Sequence, residues 1–413
     1  MSDATVRMYN VGFGDCFLVQ IPTEDGVRRL LFDCGTHSAG PGPRPMSEVV
    51  ANVIEDVTDK NGNARIDIVV GTHRHADHVS GFASKLWRDV EVGEVWMPWT
   101  EDYNDPEARK ILERQSRAAA RLYAALVARA ALGAPNAQER IASALAENAL
   151  TNAPAMATLH HGFKGEPTRR YLPDTQNSRH LATPLLPGVR VHVLGPSRVA
   201  NVIRDMDPPT GAAYLHVASL DDAALVEPFQ AKWSVPAEQF AAAFAHIALD
   251  KRDRTYLKGM GDVDLFGIAV ALEKSVNGTS LVLGLEIDDA VMLFPGDAQW
   301  GTWKTILDDP DASALLARTT FWKIGHHGSH NATPRAFVDG LQHDVERWSM
   351  VSTTHVKQWP EIPKPDLIEA VVGLAGHLAR SDRGTGSEKT GFERYDEHVV
   401  EALVPLRTGG NRP

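Results

Sequence analysis

Hydrophobic positions along this chain keep two different rhythms. Short runs rich in Val, Ile, Leu and Phe, most of them closed by Gly, Asp or Pro, read as buried strands at 6–10, 16–21, 29–32, 66–70, 94–98, 189–194, 281–287, 291–294, 321–324 and 348–352. Asp288 and Asp289 make a turn between two of these runs, so a hairpin is expected there. Residues 399–406 could add one edge strand. Helical spacing takes over elsewhere. The stretch 79–87 reads as a helix, and Asp105-Pro106 caps another whose face carries Ala119, Leu122, Leu126 and Ala130. Asn136-Ala-Gln-Glu139 is a capping box for a second Ala-rich helix. Pro236 stands near the start of an amphipathic helix with Phe240, Phe244 and Ile247, and Thr333-Pro334 caps a later one. Strands alternating with helices predict an α/β fold.

One strand-to-helix turn concentrates the chemistry. Behind the run 66–70 come His73, His75, Asp77 and His78, three imidazoles and a carboxylate within six residues. Neutral imidazole nitrogen and ionised carboxylate oxygen are the donors that borderline divalent metals such as zinc take. Asp77 would sit at a helix N-terminus, where the dipole keeps it ionised. Other candidates are scattered. Asp15 and Asp33 lie in Gly-bearing turns, Asp297 follows the hairpin after Gly296, and His326-His327-Gly-Ser329 follows the strand at 321–324. His160-His161-Gly162 is a ligand pair or a loop tip. The basic segments 168–173, with Arg179, and 251–254, with Lys258, are substrate rims or solvated faces. His330 reads as an exposed loop residue, and Trp99 as a pocket wall or core packing. No nucleophile elbow or Cys-His pairing is seen.

Composition narrows the class. With 43% hydrophobic and 23% charged residues in 413, the chain reads as an ordinary soluble protein. No apolar run approaches the ~18 residues of a membrane span, so no membrane partner is expected. The N-terminus lacks a signal peptide's features, which makes the cytoplasm the expected location. Cys16 and Cys34, the only cysteines, read as buried reduced thiols rather than a redox pair. A net charge of −11 argues against a broad nucleic-acid surface. It leaves a nuclease open, because divalent cations supply positive charge where phosphate sits. The tail at 380–391, rich in Gly, Ser and charge, reads as mobile.

His73-x-His75-x-Asp77-His78 resembles the metal motif of the metallo-β-lactamase superfamily, and the Gly-Asp15, Asp33-x-Gly and Gly-Asp297 pieces look like its other blocks. Within it, Asn277-x-x-Ser280 and His326-His327-Gly-Ser329 look most like the hydrolase domain of bacterial competence DNA-uptake proteins. The resemblance implies a four-layer αββα sandwich forming one domain over 1–413, with helical insertions at about 100–180 and 200–275. It implies two divalent ions, zinc or manganese. The first would take His73, His75 and Asp297, with Asn277 where many members carry a His and with water, or His160 or His161, in the remaining position. The second would take Asp77, His78, Asp297 and one of His326 and His327, of which His327 is favoured although sequence leaves both open.

On the same resemblance Asp33 would brace the metal loops, Asp15 would be structural, and Ser280 and Ser329 would support the site. His326, or a water, would protonate the leaving group, and Asp77 would orient a metal-bound hydroxide. His355 or Lys364 would take over a substrate contact. The expected activity is that of a phosphodiesterase or nuclease on an anionic substrate, with hydrolysis of a small ester, lactone or thioester as the alternative. The full ligand set argues against a non-enzymatic scaffold, and His75 stands where the diiron oxidoreductase branch usually has Glu.

Overall fold

The computed structural model describes residues 3–407 except 132–133, 151, 177, 206–207, 210–211, 213–264, 330, 332, 358, 375 and 384–390. The helix expected around Phe240, the basic segment at 251–258, His330 and most of the tail at 380–391 lie outside the described residues. Arg380 itself ends a strand and forks Asp382 (2.7 and 2.9 Å).

The strands in chain order are β1 (Ala4–Tyr9), β2 (Phe17–Thr23), β3 (Gly26–Phe32), β4 (Arg65–Val70), β5 (Glu91–Pro98), β6 (Thr168–Leu172), β7 (His180–Leu181) and β8 (Val189–Gly195). They continue with β9 (Val282–Ile287), β10 (Ala290–Phe294), β11 (Phe321–Lys323), β12 (Trp348–Val351), β13 (His377–Arg380), β14 (Arg394–Tyr395) and β15 (Val399–Val404). Among the described residues they form an eight-stranded sheet, β14-β15-β1-β2-β3-β4-β5-β6, and a seven-stranded sheet, β13-β12-β11-β10-β9-β8-β7. The expected hairpin is β9–β10, with Ile287 opposite Ala290 and Asp288 in the left-handed region (φ 49°).

Alternation along the strands builds the layers. Phe17, Val19 and Ile21 of β2 face inward with Leu283, Leu285 and Met292 of the other sheet, forming one core between the sheets. Phe32 and Phe294 stack across that core with ring centroids 3.9 Å apart. Leu18, Leu31, Ile66 and Val69 face the other way, onto α1 (Met46–Val57), whose Val49, Val50, Val53 and Val57 make one apolar stripe. The outer face of the second sheet is covered by α8 (Trp300–Leu307), α9 (Pro310–Ala317), α10 (Arg335–Asp339) and α11 (Pro365–Val372). The result is helix, sheet, sheet, helix. No helix among the described residues is long and apolar enough to cross a membrane.

Two expectations fail for identifiable reasons. The helix over 79–87 is instead one α-turn, α2 (Ala76–Val79), and two short 3-10 turns at Ser80–Ala83 and Lys85–Asp89. Phe82 and Trp87 both bury in the outer core. Five residues apart on an α-helix they would point about 140° from each other, so the chain breaks at extended Ser84 (ψ 135°) to bring both in. The expected edge strand β15 is not at the edge, because it pairs with β1 on one side and with the two-residue β14 on the other.

The Ala-rich region gives α3 (Pro106–Ala130), α4 (Ala137–Leu150) and α5 (Ala153–His161). Ala119, Leu122 and Leu126 of α3 pack with Ala142, Leu145 and Ala146 of α4 and with Ala269 and Leu272 of α7 (Leu265–Asn277), the next described helix after the short α6 (Ala200–Arg204). The expected stripe stops short, since Ala130 is exposed at the end of α3. The helices that the sequence divides between two insertions thus share one small core.

Candidate metal centre

The site stands where parallel strand ends converge. β3 and β4 run parallel, as do β10, β11 and β12, and the loops past them carry Asp33, the 72–78 turn, Asp297, His326-His327 and Ser352. Ligand sites in α/β sheets favour this end. A hydrogen bond from the amide of Leu281 to the carbonyl of Thr72 (2.8 Å) ties the two sheets together beneath it.

Close backbone approach explains the two glycine blocks. The amide of Asp15 donates to the carbonyl of Asp77 (2.9 Å), and that of Cys34 to His78 (2.7 Å). A Cβ on Gly14 would stand 2.2 Å from the carbonyl oxygen of Gly35, and one on Gly35 would stand 2.4 Å from that of Ala76. Only glycine lets these turns lie against α2. Asp33, His326 and His327 all take positive φ (55°, 47° and 54°). Left-handed backbone is costly for such residues and gathers at functional sites.

His73, Asp77 and His78 form one buried group of possible ligands, and His78, Asp297 and His327 form a second. In each, the donor atoms lie within 4.8 Å of one another. His78 is shared. Its Nδ1 faces Asp33 Oδ2 at 2.8 Å and its Nε2 faces Asp297 Oδ2 at 3.1 Å. Asp33 is held in turn by the amide and hydroxyl of Thr72, both donating at 2.7 Å. A carboxylate behind an imidazole fixes which nitrogen points at a metal. His327 follows the same plan with a carbonyl, its Nδ1 donating to Ser352 O (2.9 Å) while Nε2 faces Asp77 Oδ2 (3.3 Å). His73 Nε2 lies 3.1 Å from His75 Nδ1, and His75 Nε2 is buried with no hydrogen-bond partner. A third group, Asp15, Asp33 and His78, lies on the far side of His78.

His326 is gripped from every side. Its amide donates to Asp297 Oδ1 (2.8 Å), and its Nδ1 bonds Ser329 Oγ (2.7 Å), which donates to Asn331 (2.8 Å). Asn331 donates to Gln299 (2.9 Å), and Gln299 returns to the carbonyl of Asp297 (3.1 Å). His326 Nε2 faces Glu273 Oε1 at 3.3 Å and Asn277 Nδ2 at 3.4 Å. Asn277 closes α7, and Ser280 Oγ accepts the amide of Asp297 (3.1 Å).

Charge is distributed unevenly. Burial opposes ionisation of Asp77, but the His327 hydrogen bond and His78 outweigh it and hold its pKa well below the usual range. Burial likewise opposes charge on Asp297, and His78, Lys323 and His326 overcome it. For His78, burial is outweighed by Asp297, Asp33 and Asp15, which raise its pKa. His326 also rises, because Asp297 and Glu273 exceed the effect of burial. Burial and the charge of His78 push His73 well down, and burial lowers His75. Two ionised carboxylates beside the His73 and His75 imidazoles, whose proton affinity is low, suit a divalent cation, while the raised proton affinity of His78 means that a cation there must displace its proton. The orphaned Nε2 of His75 adds a donor without a protein partner. These residues fit one or more metal ions.

Sequence reasoning missed several neighbours. Lys323 is buried in β11, where it pairs with Asp15 and lies 3.6 Å from Asp297 Oδ1. A lysine inside an apolar strand was the signal. Asn148 of α4 bonds Asp77 through both its amide atoms, and Glu273 of α7 meets His326. No local pattern marks either one.

Other candidates stand apart from the centre. His160 bonds Tyr171 Oη (3.0 Å) and stacks on Tyr103 (4.5 Å), while His161 is exposed, so neither joins His73. His355 is exposed and belongs to none of the three groups, and Lys364 pairs with Glu361. The 168–173 run is β6 and its turn, with Arg170 forked onto Glu94 (2.8 and 2.9 Å). Trp99 is buried under the Arg198 guanidinium, 4.5 Å from the ring centre. Cys16 and Cys34 are buried free thiols. Comparison with known proteins returns no matching family model and no matching curated protein.

Proposed function

We propose that this chain is a metal-dependent hydrolase of the metallo-β-lactamase superfamily, acting as a phosphodiesterase or nuclease on an anionic substrate. The observation that carries the reading is the buried meeting of His73, Asp77, His78, Asp297 and His327, which arrive on three separate loops. Two facing sheets covered by helices on both outer sides support the superfamily assignment. The Asn277-x-x-Ser280 and His326-His327-Gly-Ser329 blocks support the phosphodiester-cleaving branch.

His78, Asp297, His327 and Asp77 would hold one ion, and His73 with His75 would serve a second, with zinc as the first candidate and manganese as the next. Bound divalent ions of this kind make water acidic near neutral pH and offset charge on phosphoryl oxygens. Asp33 and Ser352 aim the imidazoles by taking the Nδ1 hydrogens of His78 and His327. Asn148 orients the Asp77 carboxylate. His326, held between Ser329 and Glu273 with a raised pKa, has a proton at Nε2 to give to a leaving oxygen.

Metal content and hydrolysis of bis(p-nitrophenyl) phosphate by wild type and Asp77→Ala test this. The wild type is expected to carry metal and cleave the diester, and the folded variant to lose both. A metal-replete wild type that leaves the diester intact contradicts the phosphodiesterase reading, and cleavage of lactones or thioesters would then replace it.

A further inference from the structure

His37 belongs to none of the three groups of possible metal ligands, yet it is built like a ligand contact. It follows Asp33-Cys-Gly35 on the loop past β3 and is 2% exposed. Its Nδ1 accepts the amide hydrogen of Ala39 (3.0 Å), and its own amide donates to the carbonyl of Phe13 (2.7 Å). A neutral imidazole that accepts at Nδ1 carries its hydrogen on Nε2. That Nε2 is buried with no hydrogen-bond partner. Native folds rarely leave such a donor unpaired, and each exception calls for a use.

The ring is held in one orientation. It stands edge-on to Phe13 (6.1 Å, 89°) and to Trp359 (5.2 Å, 87°). Phe13 and Trp359 stack on each other (5.4 Å), and Phe13 leans on the ring of His327 (4.0 Å). One aromatic ring therefore separates His37 from the proposed metal ligand. The charged groups that act on it are Asp77, Glu273, His327 and Glu147, of which Asp77 and His327 are proposed ligands and Glu273 meets His326. Burial lowers its pKa, so near neutral pH it is an uncharged donor. His326, by contrast, has both ring nitrogens facing protein groups.

We propose that His37 Nε2–H is a substrate contact, donating to a negatively charged, non-bridging oxygen of the phosphodiester beside the Phe13–Trp359 pair. The identity of that oxygen rests on the phosphodiesterase reading, whereas the anion-facing donor does not. A preorganised neutral donor favours charge on the oxygen without adding a competing cation.

Two measurements test it on the zinc-loaded full chain. In kinetics with bis(p-nitrophenyl) phosphate, His37→Phe keeps an aromatic ring and removes the donor, and kcat/KM should fall on the order of 10- to 100-fold, the scale of one hydrogen bond to a charged oxygen. His37→Gln, which restores an N–H, should recover part of the loss, with metal content unchanged in both, while His37→Phe melts somewhat lower because the Ala39 amide loses its acceptor. An unaltered kcat/KM in His37→Phe overturns the proposal. Independently, long-range proton–nitrogen spectra of histidine-labelled protein should show His37 as the Nε2–H form, with that signal moving as inorganic phosphate is added. A signal that stays put throughout, or an Nδ1–H form, overturns the proposal even where the diester is cleaved. A shift with phosphate in a protein that cleaves no diester supports the donor and rejects only the phosphodiesterase reading.

Discussion

Asn148 and Asp77 hold each other by two hydrogen bonds across 71 residues of chain. The Asp77 amide donates to Asn148 Oδ1 (3.3 Å), and Asn148 Nδ2 donates to Asp77 Oδ1 (3.2 Å). Both are buried, and Asn148 belongs to the helical unit rather than to the sheets. That unit is therefore part of the site, fixing the rotation of a proposed ligand.

Asn148→Ala is expected to leave the fold intact and weaken metal binding or kcat/KM by about 10- to 100-fold, the usual result of removing a group that orients a ligand. Asn148→Asp should do worse, because it sets a second carboxylate against Asp77. Metal titration of the two variants beside wild type checks both.

Gly35→Ala is expected to lower stability by about 1–3 kcal/mol, the scale of overpacking. The added methyl would meet the backbone oxygen of Ala76 at 2.4 Å, and that oxygen cannot move without displacing Asp77. Urea unfolding measures the cost, and metal content should fall with it. A variant with unchanged midpoint and metal would show that the turns are not packed as described.

His160 supplies a pH signature separate from the metal residues. Burial, with the neighbouring His161 charge, pushes its pKa down to about 4. The unfolded side chain titrates near 6.5. Unfolded chains therefore bind the proton first, and the stability tied to neutral His160 is present above about pH 6.5 and lost as the pH falls towards 4. His160→Phe, which keeps an aromatic ring beside Tyr103, removes that slope. Melting temperatures from pH 7 to 4 should fall less steeply for the variant, a difference of about 1–3 kcal/mol by pH 4.

Local signals were legible and distant ones were not. The 72–78 turn, the hairpin leading to Asp297 and the strand leading to His326-His327 are each written in contiguous residues. Asn148 and Glu273 look like ordinary helix surface until α3, α4 and α7 close on one another. His160-His161 shows the reverse, ligand types in sequence that the fold turns towards Tyr103 and Tyr171. The interior place of β15 was hidden because β14 is two residues long and leaves no periodicity. Lys323 had a readable anomaly, a charge within β11, but its partners Asp15 and Asp297 lie on distant loops.

The central claim is that a cation belongs between these imidazoles and carboxylates. Anomalous diffraction at the zinc absorption edge, on crystals of the full chain grown with zinc, tests it most directly. The account predicts a strong peak bounded by His78, Asp297, His327 and Asp77. A map with no peak there, while zinc is bound elsewhere on the protein, would contradict it.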